Sequence, residues 1–166
     1  MTARRLVLVR HAKSLQDGGA DMERPLNHRG ERDAPLIGQR LRDQGLRPGR
    51  VVVSPARRAQ QTWALAARSL VDPPDPQLDG RIYDNTVADL TGVVRGTPAD
   101  VDTMVLVGHN PSIEALVLGA GGGESADALD TGGLPTSTVA VLGTDAAWAE
   151  LTPADLRVQS LWSPSG

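Results

Sequence analysis

The chain has 166 residues, of which 40% are hydrophobic, and it carries a net charge of −3 at pH 7 and no cysteine. This length suits one domain over residues 1–166, and the weak acidity argues against binding to nucleic acid, which needs a strong positive patch. The lack of cysteine excludes disulfides and thiolate chemistry, and no apolar run suits a signal sequence or a membrane span, so we expect a cytoplasmic protein with no membrane partner.

The first predicted element is a strand that ends in Arg10 and His11. Residues 6–9 are four apolar residues in succession, which is typical of a central strand of a parallel sheet. Ligands of open α/β sheets bind at the carboxyl ends of the strands, so an Arg and a His at this end indicate an anion site with a candidate nucleophile. Such a pair alone is more often a surface or structural feature.

The segment after His11 predicts a surface loop and then a helix. Residues 15–25 are rich in polar residues without an apolar period, which indicates a loop at the mouth of the site. Asn27 is suited to cap a helix over about residues 28–44. Pro35 lies inside that stretch, so we expect either a kink or a later start of the helix.

A second buried strand is predicted over residues 51–53. It ends in Ser54 and Pro55, a pair suited to cap and open a helix that runs to about residue 70. Arg57 or Arg58 therefore lies near a helix N-terminus at the carboxyl end of a strand. This is the second strand end with a cationic side chain.

The remaining stretches predict alternating strands and helices. Residues 104–107 form a third buried strand that ends in Gly108 and His109, and Pro111 opens the next helix. A weaker strand is expected over residues 77–82 and an antiparallel hairpin over residues 138–142 and 147–151. Residues 119–133 predict the longest loop, and residues 164–166 a frayed tail.

Arg and His side chains at these strand ends favour a phosphoryl ligand. Guanidinium groups bind phosphate oxygens in pairs, and imidazole is neutral or charged near pH 7. A metal site is the competing use of two histidines. It is disfavoured because the flanking Arg would repel the ion and no carboxylate cluster accompanies the pair.

Three motifs together resemble the histidine phosphatase superfamily, also called the phosphoglycerate mutase-like family. They are Arg10-His11, Ser54–Thr62 and Gly108–Pro111, and they occur in the family's order. The short length and Ala12 after the first motif resemble the SixA-type phosphohistidine phosphatases. The resemblance implies a three-layer αβα sandwich with a mostly parallel central sheet, helices on both faces and no lid domain.

The resemblance also implies roles for individual side chains. His11 corresponds to the nucleophile that takes up the phosphoryl group, while Arg10, Arg58 and His109 correspond to the groups that hold its oxygens. Ser14 and Asn110 are expected to add hydrogen bonds, although a structural role for Ser14 as a loop or helix cap is equally consistent with the sequence. No metal and no cofactor are implied.

The general acid is where this sequence departs from the family pattern. Many members place a Glu between the second motif and the second His, whereas this chain has Asp79, Asp84 and Asp89 there. We expect Asp84 to serve because it follows the carboxyl end of the weaker strand predicted over residues 77–82. The alternative is that Asp84 caps the next helix together with Asn85.

These features predict a metal-independent phosphatase that works through a phosphorylated His11. The expected substrate is phosphohistidine in a protein. A phosphomonoesterase for a small phosphorylated metabolite is the alternative enzyme, and a non-catalytic module that binds phosphoproteins is the alternative from another class.

Overall fold

The computed structural model describes residues 3–17, 19–121 and 133–164. Within these ranges the strands form one mixed sheet in the order β3-β2-β4-β1-β5-β6. The bounds are β1 Arg4–Arg10, β2 Arg50–Val53, β3 Gln77–Leu78, β4 Thr103–Gly108, β5 Val139–Thr144 and β6 Arg157–Trp162.

The central strands are parallel and their carboxyl ends lie side by side. β1 pairs with β4 so that Arg10 lies opposite Gly108, and β2 pairs with β4 so that Val53 lies opposite Val107. β5 pairs antiparallel with β1, and β6 pairs antiparallel with β5 at the end of the strand order. One edge of the sheet therefore carries the segments that follow β1, β2 and β4.

Helices cover both faces of this sheet. The helices are α1 His28–Asp43, α2 Arg57–Ala67, α3 Gly80–Asp84, α4 Val87–Arg95 and α5 Ser112–Gly119. Buried side chains of α1 and α2 pack on one face, and those of α3, α4 and α5 pack on the other. The predicted αβα sandwich with a mostly parallel sheet is confirmed, and no lid domain lies over the described part of the chain.

Alternation along β1 explains why both faces must be covered. Leu6 and Leu8 belong to the apolar cluster on one face, and Val7 and Val9 belong to the cluster on the other. All four side chains are fully buried. Because successive side chains of a strand point to opposite faces, an unbroken apolar run requires a helix layer on each side.

The predicted start of α1 with Asn27 as its cap is confirmed, whereas the predicted start of α2 differs from the structure. α1 begins at His28, capped by Asn27 Oδ1, which accepts from the Gly30 amide at 2.9 Å, so the later start after Pro35 is wrong. α2 begins at Arg57 with Ala56 at its cap position, so Ser54 does not cap it. The hydroxyl of Ser54 has another use, described below.

The predicted C-terminal hairpin is wrong in its second strand. β5 pairs with β6, which lies at Arg157–Trp162, while residues 148–150 form a 3₁₀ turn. The indole of Trp148 is buried there and donates to the Val101 carbonyl at 2.7 Å. The apolar side chains that indicated a strand therefore fill the core beneath the sheet.

Three smaller features complete the comparison with the sequence. The strand predicted over residues 77–82 is limited to β3, and α3 follows it. Of the predicted loop 119–133, residues 122–132 lie outside the described residues, as do residues 165–166 of the predicted tail. None of the helices in the described ranges has the length and apolar character needed to cross a bilayer.

Candidate active site

A polar cavity of about 480 Å³ opens at the carboxyl ends of the central strands. It brings together six of the seven residues predicted from the sequence and leaves out Asp84. Its lining consists of Arg10, His11, Lys13, Ser14, Gln16, Asp21, Arg24, Arg58, Tyr83, Asn85, His109, Asn110 and Thr136.

His11 is held in one tautomer by the backbone. Its Nδ1 lies 2.8 Å from the carbonyl oxygen of Ala12. Because a carbonyl oxygen only accepts hydrogen bonds, Nδ1 carries the hydrogen and Nε2 keeps its lone pair. Burial lowers the pKa of His11 to about 3, helped by the nearby His109, Arg58 and Arg10, so the ring is neutral at pH 7.

The backbone that holds His11 is itself fastened to α2. The amide of Ala12 donates to Thr62 Oγ1 at 2.9 Å, and the Thr62 hydroxyl donates to the Arg58 carbonyl at 2.7 Å. The His11 amide donates to the Gly108 carbonyl at 3.0 Å. Thr62 therefore links the segment of the candidate nucleophile to the helix that carries Arg58.

Arg10 extends from the last position of β1 into the cavity. Its Nη1 donates to the Leu134 carbonyl at 2.8 Å, and its buried Nε has no hydrogen-bond partner among the described residues. Burial lowers the pKa of Arg10, against the opposing effect of Glu114. A half-buried guanidinium with an unused N–H is suited to bind an oxyanion.

Arg58, rather than Arg57, enters the site. Arg57 is exposed and does not line the cavity, whereas Arg58 is buried. Its Nη1 donates to the Asp21 carbonyl at 2.7 Å, and its Nη2 donates to Asp21 Oδ2 at 3.1 Å. As in Arg10, the buried Nε has no partner in the described ranges.

His109 stands beside His11, with 5.1 Å between the ring centroids. Its Nε2 lies 2.8 Å from Ser54 Oγ, and its buried Nδ1 has no partner in the described part of the chain. Tyr83 meets the ring edge-on at 5.8 Å. The pKa of His109 is lowered to about 4, mainly by burial and secondly by the positive charge of Arg58.

Ser14 and Asn110 both line the cavity, and their polar atoms make contacts of different kinds. The Ser14 hydroxyl accepts from Arg24 Nη1 at 2.9 Å. Asn110 Nδ2 donates to the Leu134 carbonyl at 3.1 Å, and its buried Oδ1 has no partner among the residues described. Ser14 caps none of the helices in the described ranges, so the helix-cap alternative is wrong, whereas its bond to Arg24 is a contact with the loop of residues 15–25.

The structure does not bring Asp84 into the site, which corrects the expectation that it follows a strand end. β3 stops at Leu78, and Asp84 is the exposed last residue of α3. It does not cap the next helix either, because α4 is capped by Thr86. The neighbouring Asn85, in the left-handed conformation at φ 68°, reaches the cavity instead.

Sequence reasoning missed a charged cluster at the mouth, formed by Asp21, Arg24, Arg58 and Tyr83. Asp21 accepts from the Tyr83 hydroxyl at 2.6 Å and from Arg24 Nη2 at 2.9 Å. The pKa of Asp21 lies well below its usual range, because of the hydrogen bond from Tyr83 above all and, to a smaller extent, those from Arg24 and Arg58. The sequence feature that could have indicated this cluster is the presence of Asp21 and Arg24 in the loop predicted to border the site.

The site as a whole is suited to an anion rather than a metal. Within the part of the chain that the structure describes, three guanidinium groups, those of Arg10, Arg24 and Arg58, line the cavity against the single carboxylate of Asp21. In the ranges that the structure describes, no group of three or more His, Asp or Glu side chains is placed to hold a metal ion. Buried N–H donors around a neutral histidine favour a phosphoryl group.

Comparisons with known proteins agree with this geometry. The model of the histidine phosphatase superfamily (branch 1) matches residues 6–82. An uncharacterized protein of Mycobacterium tuberculosis is 35% identical over 150 residues, which cover 87% of this chain and 92% of that protein.

Solved structures extend the similarity to the whole chain. A candidate phosphohistidine phosphatase SixA from Nakamurella multipartitia is 32% identical, with a TM-score of 0.81 over 100% of this chain and 99% of the other. A second such protein, from Agrobacterium tumefaciens, is 28% identical, with a TM-score of 0.79 over 96% and 98%. The three motifs, the sheet order and these similarities together show that the chain belongs to the histidine phosphatase superfamily, in its SixA-type branch.

Proposed function

We propose that this phosphatase removes phosphoryl groups through a phosphohistidine formed on His11, and that it acts on phosphohistidine in proteins. The observation that carries the proposal is the hydrogen bond from His11 Nδ1 to the Ala12 carbonyl. It leaves Nε2 with a free lone pair in a cavity bordered by guanidinium groups. An unprotonated nucleophile beside positive charge is what attack on a phosphoryl group requires.

The reaction takes two displacements. First, His11 Nε2 forms a bond to phosphorus while the P–N bond of the substrate breaks. A substrate imidazole that is protonated on its other nitrogen leaves as neutral imidazole, so the enzyme supplies no proton. A water oxygen then bonds to phosphorus, the bond to His11 breaks, and the water's proton goes to the departing phosphate or to solvent.

Arg10, Arg58 and His109 stabilise the charge on the transferred group. Each has a buried nitrogen without a hydrogen-bond partner in the described residues. Each such donor contributes on the order of 10²-fold to the rate in comparable sites. Asn110 and Ser14 take part at the border, Asn110 directly and Ser14 through its bond to Arg24.

The protonation state of the site favours a P–N bond over a phosphate ester. An alkoxide leaving group needs a proton from a positioned acid, whereas imidazole, with a reference pKa of about 6.5, does not. Among the described residues, the one carboxyl group that lines the cavity belongs to Asp21, and its lowered pKa keeps it ionised at neutral pH. The absence of a lid domain over the described residues leaves room for a protein surface.

The test compares two peptides of one sequence, one with phosphohistidine and one with phosphoserine. We expect kcat/KM to be higher for phosphohistidine, and His11→Ala to abolish its turnover. His28→Ala is the matched control because His28 is exposed and lies outside the cavity. Preference for the ester would indicate a phosphomonoesterase, and binding without turnover would indicate a phosphoprotein-binding module.

A further inference from the structure

The hydroxyl of Ser54 lies at the junction between β2 and the second histidine. Ser54 is fully buried, and its amide continues the sheet by donating to the Val107 carbonyl at 3.0 Å. Its Oγ lies 2.8 Å from His109 Nε2 and accepts from the Ala56 amide at 3.2 Å. The hydroxyl is therefore fixed by the backbone on one side and meets the imidazole on the other.

The direction of the hydrogen bond between the Ser54 hydroxyl and His109 follows from the other partner of that hydroxyl. Ala56 supplies a hydrogen to Oγ, so the hydroxyl's own hydrogen needs an acceptor elsewhere. Among the described residues, His109 Nε2 is the acceptor within hydrogen-bond distance. If Nε2 carried a hydrogen, the buried hydroxyl hydrogen would lack an acceptor, which is the unfavourable arrangement.

We propose that Ser54 is a positioning residue that holds His109 as the neutral Nδ1–H tautomer, so that the ring donates a hydrogen bond from Nδ1. That the acceptor is a phosphoryl oxygen rests on the function proposed above. Nδ1 is the ring nitrogen without a partner in the described chain. In the opposite tautomer this nitrogen would present a lone pair, which repels an oxyanion.

The surroundings of His109 disfavour the alternative in which the ring donates as an imidazolium. Arg58 and Arg10 oppose a further positive charge, while Asp21 favours it. Burial and Arg58 dominate and keep the pKa of His109 below neutrality, at about 4. A neutral donor therefore depends on tautomer control, and Ser54 supplies that control.

Nitrogen-15 NMR of the imidazole rings reads the tautomer directly in the protein without substrate. The chain has three histidines, so spectra of His11→Gln and His28→Gln identify the signals of His109. At pH 7 we expect His109 Nδ1 to be protonated and Nε2 to be unprotonated in the wild type. A protonated Nε2 with an unprotonated Nδ1 would overturn the proposal.

Variants of Ser54 test whether the hydroxyl is the cause. We expect Ser54→Ala to shift His109 toward the Nε2–H tautomer, and Ser54→Thr, which keeps a hydroxyl, to restore the wild-type tautomer. Thr103→Val is the matched control, because it removes a buried hydroxyl at the opposite end of β4. An unchanged tautomer in folded Ser54→Ala would overturn the proposal.

Binding and turnover separate this proposal from the proposed function. We expect Ser54→Ala to weaken binding of inorganic phosphate and to lower kcat by about 10-fold to 100-fold, with most of the activity regained in Ser54→Thr. Unchanged kcat and phosphate affinity in an active Ser54→Ala protein would contradict a role for the tautomer. If the wild type shows the expected tautomer but turns over no phosphorylated compound, the proposed function fails and the assignment of Ser54 stands.

Discussion

Replacing Thr62 by Val tests whether the Thr62 hydroxyl holds the backbone beside the candidate nucleophile His11 in place. The side chain is fully buried, and its hydroxyl joins the Ala12 amide, at 2.9 Å, to the Arg58 carbonyl, at 2.7 Å. Val fills nearly the same volume but has no polar atom. The change therefore leaves the Ala12 N–H, which is buried as well, without its acceptor.

The expected cost is that of one unsatisfied buried donor, about 1–3 kcal/mol of unfolding free energy. For a chain of this size that corresponds to a fall in Tm of about 3 to 9 °C. Activity should fall as well, because the Ala12 carbonyl orients His11 through Nδ1. A small displacement of the nucleophile costs on the order of 10-fold to 100-fold in kcat.

Thermal denaturation and steady-state turnover of a phosphohistidine peptide check both effects. Thr62→Ser keeps the hydroxyl and loses only a methyl group, so it is the matched control. We expect Thr62→Ser to remain near the wild type in kcat and Thr62→Val to fall well below it. Equal Tm and kcat in the two variants would refute the idea that this hydroxyl fastens the nucleophile segment.

Three further predictions concern protons, metals and Asp84. Because folding lowers the pKa of His11 to about 3 from about 6.5 in the unfolded chain, the unfolded chain binds more protons between these pH values. The contribution of His11 to the free energy of unfolding is therefore at its maximum above pH 6.5 and decreases as the pH falls toward 3. Urea denaturation at pH 7 and at pH 5 should show a smaller loss of stability between the two pH values for His11→Asn than for the wild type. A chelator should leave turnover unchanged. Turnover that the chelator abolishes and one divalent ion restores would contradict the interpretation of the cavity as an anion site without a metal. Asp84→Asn should leave kcat/KM unchanged for phosphohistidine and phosphoserine peptides, since Asp84 lies outside the cavity, and a selective loss for the ester would return Asp84 to the mechanism.

The central strands and the residues at their ends were predictable because burial constrains them strongly. The apolar runs that form β1 and β4 are buried on both faces, so the sequence can hold little else there. The carboxyl ends of these two parallel strands place Arg10, His11 and His109 at one end of the sheet. Here the local pattern of apolar residues and the overall fold favour the same strands in the same positions.

The charged cluster at the mouth was not predictable in the same way. Asp21 lies in a 3₁₀ turn that packs over α2, and its partners Arg58 and Tyr83 are far away along the chain. Ser54 illustrates a related failure, since a Ser-Pro pair before a helix is typical of a cap. Its hydroxyl instead meets His109, a contact set by the neighbouring positions of β2 and β4.

The β6 strand was missed because an edge strand is weakly patterned. Its residues are exposed or half-buried, and none of its side chains is buried. Trp148 and Leu151, by contrast, are buried apolar residues that lie in no strand. Apolar character alone therefore favoured the wrong segment as the partner of β5.

The measurement that most directly tests the account is the identification of the covalent intermediate. A phosphohistidine peptide is mixed with the enzyme, the reaction is stopped with alkali in mid-turnover, and the phosphorylated residue is located by mass spectrometry. The account predicts an alkali-stable, acid-labile phosphoryl group on His11, and none anywhere in His11→Ala. Turnover without a phosphorylated His11, or with the phosphoryl group on another residue, would contradict it.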